Sequence, residues 1–572
     1  MTREANTDER LNGENRPSPD QQFDQQMPGS PGHRWIKIIG AAGFALTLLI
    51  YILRLNRAFG LFVDDAWYVM LAKALATGQG YTLINSPSSG ILPLYPPGFP
   101  FILSLAYRVM PQFPDNIWLL KSVSIAAMMA AGFLTYRYFA KIRKLSPYLA
   151  LWIAFGTMLN TTLVFLATSS LMSECVFLLL FLSAVTVIEG GVRASGEGKA
   201  LPFVLAGAVL SAGAFLMRSV AVSLIGAVFI YLLKERMRRQ ALIFAAVAIS
   251  LSAPWMIYSR LHAPTPAQQQ EQGGHIVQPY TQQFWQKRAG DTSSGAATMR
   301  DIPGRVWENI VEISGRDVAR ILVAPVFEAL INPAKEIQDQ DVQVGGKRNT
   351  LIFSFILAAL IVIGFIVAAF EKVTLAEIAG LFSLGITVLW PWETFRFVLP
   401  LAPFLIFYLL ASLKFIVRIF QRQREGSSDR TSGATLSAAA VLLVAVNLYG
   451  NVNYLVKSGS ESVLEDNPWA TIFDEAEEMM RFLDQNAPKD SVISTPNPAF
   501  VHLYTGHKTV SSGNAIENWE NWKKIGVRYI ARVAVFSDAA RPEKSGYKIV
   551  YRSARNPSCW VVDLGSPLSR TN

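Results

Sequence analysis

The sequence predicts a mainly α, polytopic helical membrane protein of about eleven spans, followed by a small C-terminal α/β domain outside the membrane. Three observations carry this. Of the 572 residues 51% are hydrophobic and only 16% are charged, against about a quarter charged in ordinary soluble domains. The apolar residues are bunched into blocks of roughly 17–24, the length that crosses a bilayer core. The basic residues between the blocks fall alternately in crowded and nearly empty loops, which gives an orientation.

Residues 1–34 are polar, rich in Asn, Asp, Glu, Gln and Pro, and read as a disordered cytoplasmic tail. The first apolar run ends at Leu53-Arg54-Leu55 without a small-residue cleavage site, so it is an uncleaved span rather than a signal peptide. The transmembrane domain, 35–455, holds expected spans near 36–55, 117–138, 147–168, 174–190, 200–217, 219–233, 240–260, 350–370, 374–390, 397–413 and 434–455. Pro100 to Met110 is apolar but short, and reads as an interfacial helix within the first outer loop, 56–116.

With the tail inside, the inner loops carry sixteen basic residues, among them Arg137, Lys141, Arg143 and Lys144 on one loop and Lys234, Arg236, Arg238 and Arg239 on another. The short outer turns near 169–173, 218 and 391–396 carry two, Arg218 and Arg396. Counting 100–110 as a span would put Lys141 to Lys144 outside and destroy that asymmetry. The net charge of +10 is thus explained by cytoplasmic loops and does not call for nucleic acid.

Three long segments lie outside: 56–116, 261–349 and 456–572. The second opens with Pro/Gln-rich sequence, His262 to Gln272, contains Gly273-Gly274-His275, and is expected to be a partly mobile loop near the active face. The third, the α/β domain, has helical patterns at Glu475 to Leu483 and Asn518 to Lys524. Its strand patterns are Ser491 to Ser494, Val527 to Val535, Lys548 to Arg552 and Trp560 to Leu564. The two cysteines, Cys175 and Cys559, have no CxxC or histidine neighbour, so neither a disulfide framework nor a zinc site is expected.

Five ionisable residues sit where spans meet the outer surface: Asp64, Asp65, Glu174, Arg218 and Arg396. Charge at that depth is costly and usually faces a cavity or a partner. Each has a plainer reading. Arg218 can snorkel to headgroups. Glu174 can favour the helix it opens. Arg396 can pair with Glu393, and the aspartates can cap the helix from Ala66 to Ala76. Their coincidence on one face suits a reaction that needs a base and releases an anion. In such a reaction an acceptor hydroxyl or amine attacks the anomeric carbon of a polyprenyl-phosphate sugar, a carboxylate takes the proton, and arginines meet the charge on the departing phosphate. An outer site has no access to cytosolic nucleotide sugars, so a lipid-linked donor follows.

These residues resemble the GT-C glycosyltransferases, in particular the protein O-mannosyltransferases and the lipid A aminoarabinose transferases. Asp64-Asp65-Ala66-Trp67-Tyr68, followed by Leu71 to Gly78, resembles their first outer loop, Asp-Glu-x-x-Tyr, a helix, then Gly. Pro93-Leu94-Tyr95-Pro96-Pro97-Gly98-Phe99-Pro100 resembles their proline-rich approach to an interfacial helix. Leu171-Met172-Ser173-Glu174 resembles their second acidic site, and Phe395-Arg396-Phe397-Val398-Leu399-Pro400 their late Arg-x-x-x-Pro element. The resemblance covers roughly residues 35–410. It implies Asp64 as the catalytic base or acceptor-orienting residue, Asp65 supporting it in the place of Glu, Tyr68 and Glu174 lining the substrate site, and Arg218 and Arg396 on the donor phosphate. Leu94, Tyr95 and Pro96 stand where the aminoarabinose transferases carry Glu-Lys-Pro, so the first-loop lysine is absent.

The resemblance thus implies a multi-pass enzyme of the inner membrane, with its active site and C-terminal domain extracytoplasmic. It would move a sugar from a polyprenyl-phosphate donor to a glycan, lipid or protein acceptor. A divalent cation held by Asp64, Asp65 and Glu174 through oxygen ligands stays open; no other cofactor is implied. Two rival readings remain: a transporter or flippase of a lipid-linked sugar, and a non-catalytic member of a polysaccharide assembly complex. Against the first, the chain shows no internal repeat and its charges gather at one surface rather than at the midplane.

Overall fold

The computed structural model describes residues 31–60, 63–266, 268–269, 277–288, 291–330, 348–422, 429–458, 468–512, 519–524, 526–532, 542–554 and 559–567. The Gly273-Gly274-His275 stretch and residues 1–30 of the expected tail lie outside them. Two units are distinguished, residues up to Leu46 and residues from Thr47 onward. In the first, the described residues belong to a helix, Pro31–Arg54, that begins a few residues before the expected span. Apart from that helix, everything below concerns the second.

All eleven apolar segments are helical, but a count of eleven spans is not confirmed. Among the described residues seven helices are long and apolar enough to cross a membrane, or eight if the broken pair Pro147–Met158 and Thr161–Thr168, bent by 50°, counts as one span. Leu201–Met217, Ser219–Lys234 and Leu375–Leu389 are shorter. At 1.5 Å per residue a 15-residue helix is about 22 Å long, less than the roughly 30 Å hydrocarbon core. The breaks have local causes. Arg218 takes an extended backbone between two helices. At Asn160 the side chain accepts from the Leu163 amide and starts a new helix in a new direction. Large apolar side chains such as Leu242, Ile249 and Phe370 point outward, as lipid-facing helix surfaces do.

Helix α1, Asp64–Ala76, and helix α2, Gly98–Val109, build the first loop. At 12 residues α2 is too short to cross. Helix α3, Ile117–Arg137, α4, Glu174–Lys199, and α5, Leu201–Met217, form the wall beside it. The described residues of the 261–349 segment include regular elements. It holds an antiparallel hairpin, β1 Gln286–Arg288 and β2 Asp291–Ala296, and the amphipathic helix α6, Ile302–Glu312. Arg305 and Asn309, one turn apart on α6, donate to the carbonyls of Leu389 and of Val388 and Trp390. They thereby satisfy the orphan carbonyl groups at the C-terminal end of α7, Leu375–Leu389. At the other end of α7, Thr374 and Glu377 form a capping box that Arg143 joins at 2.9 Å. Helix α8, Phe395–Val398, follows α7.

The C-terminal domain carries a five-stranded mixed sheet in the order β4-β3-β5-β7-β6. Its strands are β3 Val492–Thr495, β4 Lys508–Ser511, β5 Val527–Arg532, β6 Tyr547–Arg552 and β7 Trp560–Pro567. The expected helices are there as Pro468–Asn486 and Trp519–Lys524. Helix α9, Pro498–Thr505, and strand β4 are additions. This pair faces the first loop. The Thr509 amide donates to the Asn85 carbonyl at 2.8 Å, the Asn85 amide to Thr509 Oγ1 at 3.0 Å, and Lys508 Nζ to the Ile84 carbonyl at 2.9 Å. First loop and C-terminal domain therefore lie at the same end of the bundle.

Candidate active site

Asp64 and Asp65 open α1, and Val63, not an aspartate, occupies the N-cap position without a side-chain cap bond. The capping explanation for the pair therefore fails. The two side chains also part company. Asp65 is fully buried and turns back, accepting from the Gly60 amide at 2.9 Å and the Ala66 amide at 3.0 Å. Burial pushes its carboxyl up to about 6, against the pull of those two amides. Asp64 turns toward α8. Its Oδ2 accepts from Arg396 Nη1 at 2.7 Å and its Oδ1 from the Tyr95 phenol at 2.6 Å.

Glu174 opens α4 with its side chain sealed, and one oxygen, Oε1, serves two cations. Arg396 Nε reaches it at 2.7 Å and Arg218 Nη1 at 2.7 Å. So Arg218 does not snorkel away and Arg396 does not take Glu393; both go to Glu174. Two carboxylates and two guanidiniums thus form one chain, Asp64 to Arg396 to Glu174 to Arg218, of formal charge zero. It grades from a closed floor at Glu174 and Arg218, 0% and 10% exposed, to an open rim at Arg396 and Asp64, 27% and 24% exposed. The low exposure of the floor strengthens every charge–charge contact there. The bonds to protein groups use Nε and Nη1 of Arg396 and Nη1 of Arg218. Among the described residues neither Nη2 has a partner.

Tyr68 and Tyr95 line the rim. The Tyr68 hydroxyl shares a 3.2 Å hydrogen bond with Ser173 Oγ, which also accepts from Arg218 at 3.3 Å. The rings of Tyr68 and Tyr95 meet edge to face at 5.0 Å, and Phe99 packs edge-on against Tyr68 at 5.0 Å. Burial pushes the Tyr68 phenol up to about 12 and the Tyr95 phenol well above its ordinary value, where Asp64 adds to the effect. Both stay protonated donors at neutral pH. Tyr95 supplies a neutral hydrogen bond to Asp64.

The structure thus brings together Asp64, Tyr68, Glu174, Arg218 and Arg396, and sets Asp65 behind them. No group of three or more His, Cys, Asp or Glu is placed to hold a metal ion among the described residues. Asp64 and Glu174 face guanidiniums and Asp65 faces backbone amides, so the three carboxylates do not fit around one cation as arranged.

Three contributors escaped the sequence. Lys121 is fully buried in α3 and donates to the carbonyls of Asn56, Ala58 and Thr168 at 2.7–3.0 Å. A lone ionisable residue inside an apolar run was the available signal. Tyr280 donates to the Leu94 carbonyl at 2.7 Å and accepts from Ser219 Oγ at 2.7 Å, tying the 261–349 segment to the first loop and to the turn bearing Arg218. Thr394, two residues before Arg396, donates to the buried Asp317 carboxylate. Neither tyrosine nor threonine leaves a sequence mark there.

No protein-family model matches the chain, and no curated protein sequence matches it. Its fold does match solved structures. ArnT from Cupriavidus metallidurans bound to undecaprenyl phosphate superposes with a TM-score of 0.53 at 10% identity, over 92% of this chain and 97% of that one. The archaeal oligosaccharyltransferase AglB from Archaeoglobus fulgidus, in complex with an inhibitory peptide and a dolichol-phosphate, gives 0.52 at 10% identity, over 92% of this chain and 74% of that one.

Proposed function

We propose that this chain, which has the fold of the GT-C membrane glycosyltransferases, transfers a sugar from a polyprenyl-phosphate donor to an acceptor at the outer face of the inner membrane. The single observation that carries the reading is the ionic chain itself. Asp64 stands at its open rim with two arginines behind it, each with an Nη2 that has no partner among the described residues. The ArnT and AglB structures, which hold undecaprenyl phosphate and a dolichol-phosphate, support a lipid-phosphate donor for this fold.

The geometry supports the following steps. The donor phosphate meets Nη2 of Arg396 and Arg218. The acceptor's O–H or N–H approaches Asp64 from the open side. The bond from the acceptor atom to the anomeric carbon forms as the bond from that carbon to the phosphate oxygen breaks. Asp64 takes the acceptor proton, and the lipid phosphate leaves with its new charge held by the arginines. Asp65 supports Asp64 by tying α1 to the Gly60 turn, and Tyr68 and Glu174 hold Arg218 in place.

The test is release of undecaprenyl phosphate from a panel of undecaprenyl-phosphate sugars by the full chain in liposomes. Asp64→Asn and Arg218→Ala should each lower turnover by about 10²–10⁴-fold. Unchanged turnover in two well-folded variants would overturn the assignment. Equilibration of the donor across the bilayer without release of undecaprenyl phosphate would point to a flippase instead.

A further inference from the structure

The C-terminal domain has no part in the steps above, yet it touches the turn from which α1 starts. Asn497 Nδ2 donates to the Gly60 carbonyl at 3.1 Å. That carbonyl also accepts from the Val63 amide, and the Gly60 amide donates to Asp65. Gly60 has φ +78°, and a Cβ there would lie 2.4 Å from the Phe500 ring. The Phe500 ring in turn stacks on Phe59 with centroids 6.0 Å apart. Val63, immediately before Asp64, has φ 59°. A β-branched residue at positive φ is an outlier that persists only where its surroundings over-determine it. Here they do. Lys121 holds Asn56 and Ala58 from the membrane domain, and Asn497 and Phe500 hold Gly60 from the other side.

We infer that Asn497 is a positioning residue for Asp64, and that the C-terminal domain thereby belongs to the catalytic apparatus without touching the reacting atoms. The inference rests on the reading of Asp64 as the base. Asn497 joins two tasks in one amide. Its Oδ1 caps α9 by accepting from the Phe500 amide at 3.3 Å, and its Nδ2 reaches Gly60. The two can be separated by chemistry. Aspartate is an equally good N-cap but has no N–H to give, and it sets an oxygen against the Gly60 carbonyl. Docking of the domain through Asn85, Thr509 and Lys508 does not involve position 497.

The experiment compares wild type with Asn497→Asp and Asn497→Ala as full chains, by amide hydrogen exchange and by turnover of an undecaprenyl-phosphate sugar. Asn497→Asp should speed exchange over residues 60–66 about tenfold and leave residues 492–511 at the wild-type rate. It should lower kcat by about 10- to 100-fold, the cost of a misplaced reacting group, with KM for the donor within about twofold. Asn497→Ala should loosen both regions. Wild-type exchange over 60–66 in Asn497→Asp, or accelerated exchange throughout the domain, would overturn the inference. So would a wild-type kcat with a loosened turn. If the wild type itself turns over no donor, the glycosyltransferase reading fails alone, and the exchange result still decides whether Asn497 holds the turn.

Discussion

Arg396 reaches two carboxylates with two different nitrogens, Nε to Glu174 and Nη1 to Asp64. A lysine concentrates its charge on one nitrogen and has no fork to span that gap. Arg396→Lys should therefore behave as a loss, with single-turnover release of undecaprenyl phosphate slowed about 10²–10³-fold; a slowing under threefold would show that charge alone suffices. Asp65 gives a second test. Its carboxyl is raised from 3.8 to about 6 by burial, so the folded state holds its proton more tightly than the unfolded one. The stability this contributes is fully present below pH 3.8 and is lost as pH rises through 6, a change of about 3 kcal/mol. Melting temperatures of wild type should thus fall relative to Asp65→Asn between pH 4 and 7; a parallel pair of curves would refute the assignment. At this scale the sequence is informative where a residue type is out of place. Asp64, Glu174, Arg218 and Arg396 are conspicuous because ions are costly at span ends. Tyr95 and Asn497 are ordinary residues of proline-rich loop sequence, and nothing short of the fold shows whom they touch.

Helix α2 approaches the end of α5 at Gly98. A Cβ on Gly98 would sit 2.7 Å from the Leu216 carbonyl and 2.6 Å from Met217 Cε. Since Arg218 follows at once, Gly98→Ala should push the α5 end away and cost about 1–3 kcal/mol of stability. A fall in donor turnover larger than the loss of folded protein would trace the displacement to Arg218; an unshifted melting temperature would refute the close approach. The elements themselves were mostly legible, because apolar blocks and loop charges are strong signals. Their character was less so. A hydropathy run cannot distinguish one span from two short helices bent at Asn160, since the break depends on a cap and not on polarity. Nor did the sequence mark β4. Four residues long, it is completed by Asn85, more than four hundred residues earlier in the chain.

Across the whole molecule, the contacts of Asn85 with Thr509 and of Gly60 with Asn497 require the first loop and the C-terminal domain to share one side of the membrane. Cys175 and Cys559 are both buried, so single cysteines can be read without removing them. An impermeant thiol reagent applied to cells should label cysteines placed at the exposed positions Gln79 and Lys489 and spare one at Lys199 until the membrane is opened. Labelling of Gln79 and Lys489 from opposite sides would contradict the fold. Labelling of both only from the cytoplasm would invert the orientation read from the loop charges.

The distances along the chain have a consequence for its biosynthesis. Asp64 meets a partner 332 residues downstream, and the turn before it meets one 437 residues downstream. At about 5–20 residues per second, a nascent chain already threaded into the bilayer waits on the order of 20 seconds or more before Arg396 emerges, and longer before Asn497 does. Throughout that interval the carboxylate has neither its counter-charge nor its fixed turn. A stalled or prematurely released chain therefore never assembles the ionic chain of Asp64, Arg396, Glu174 and Arg218, and only finished copies carry it.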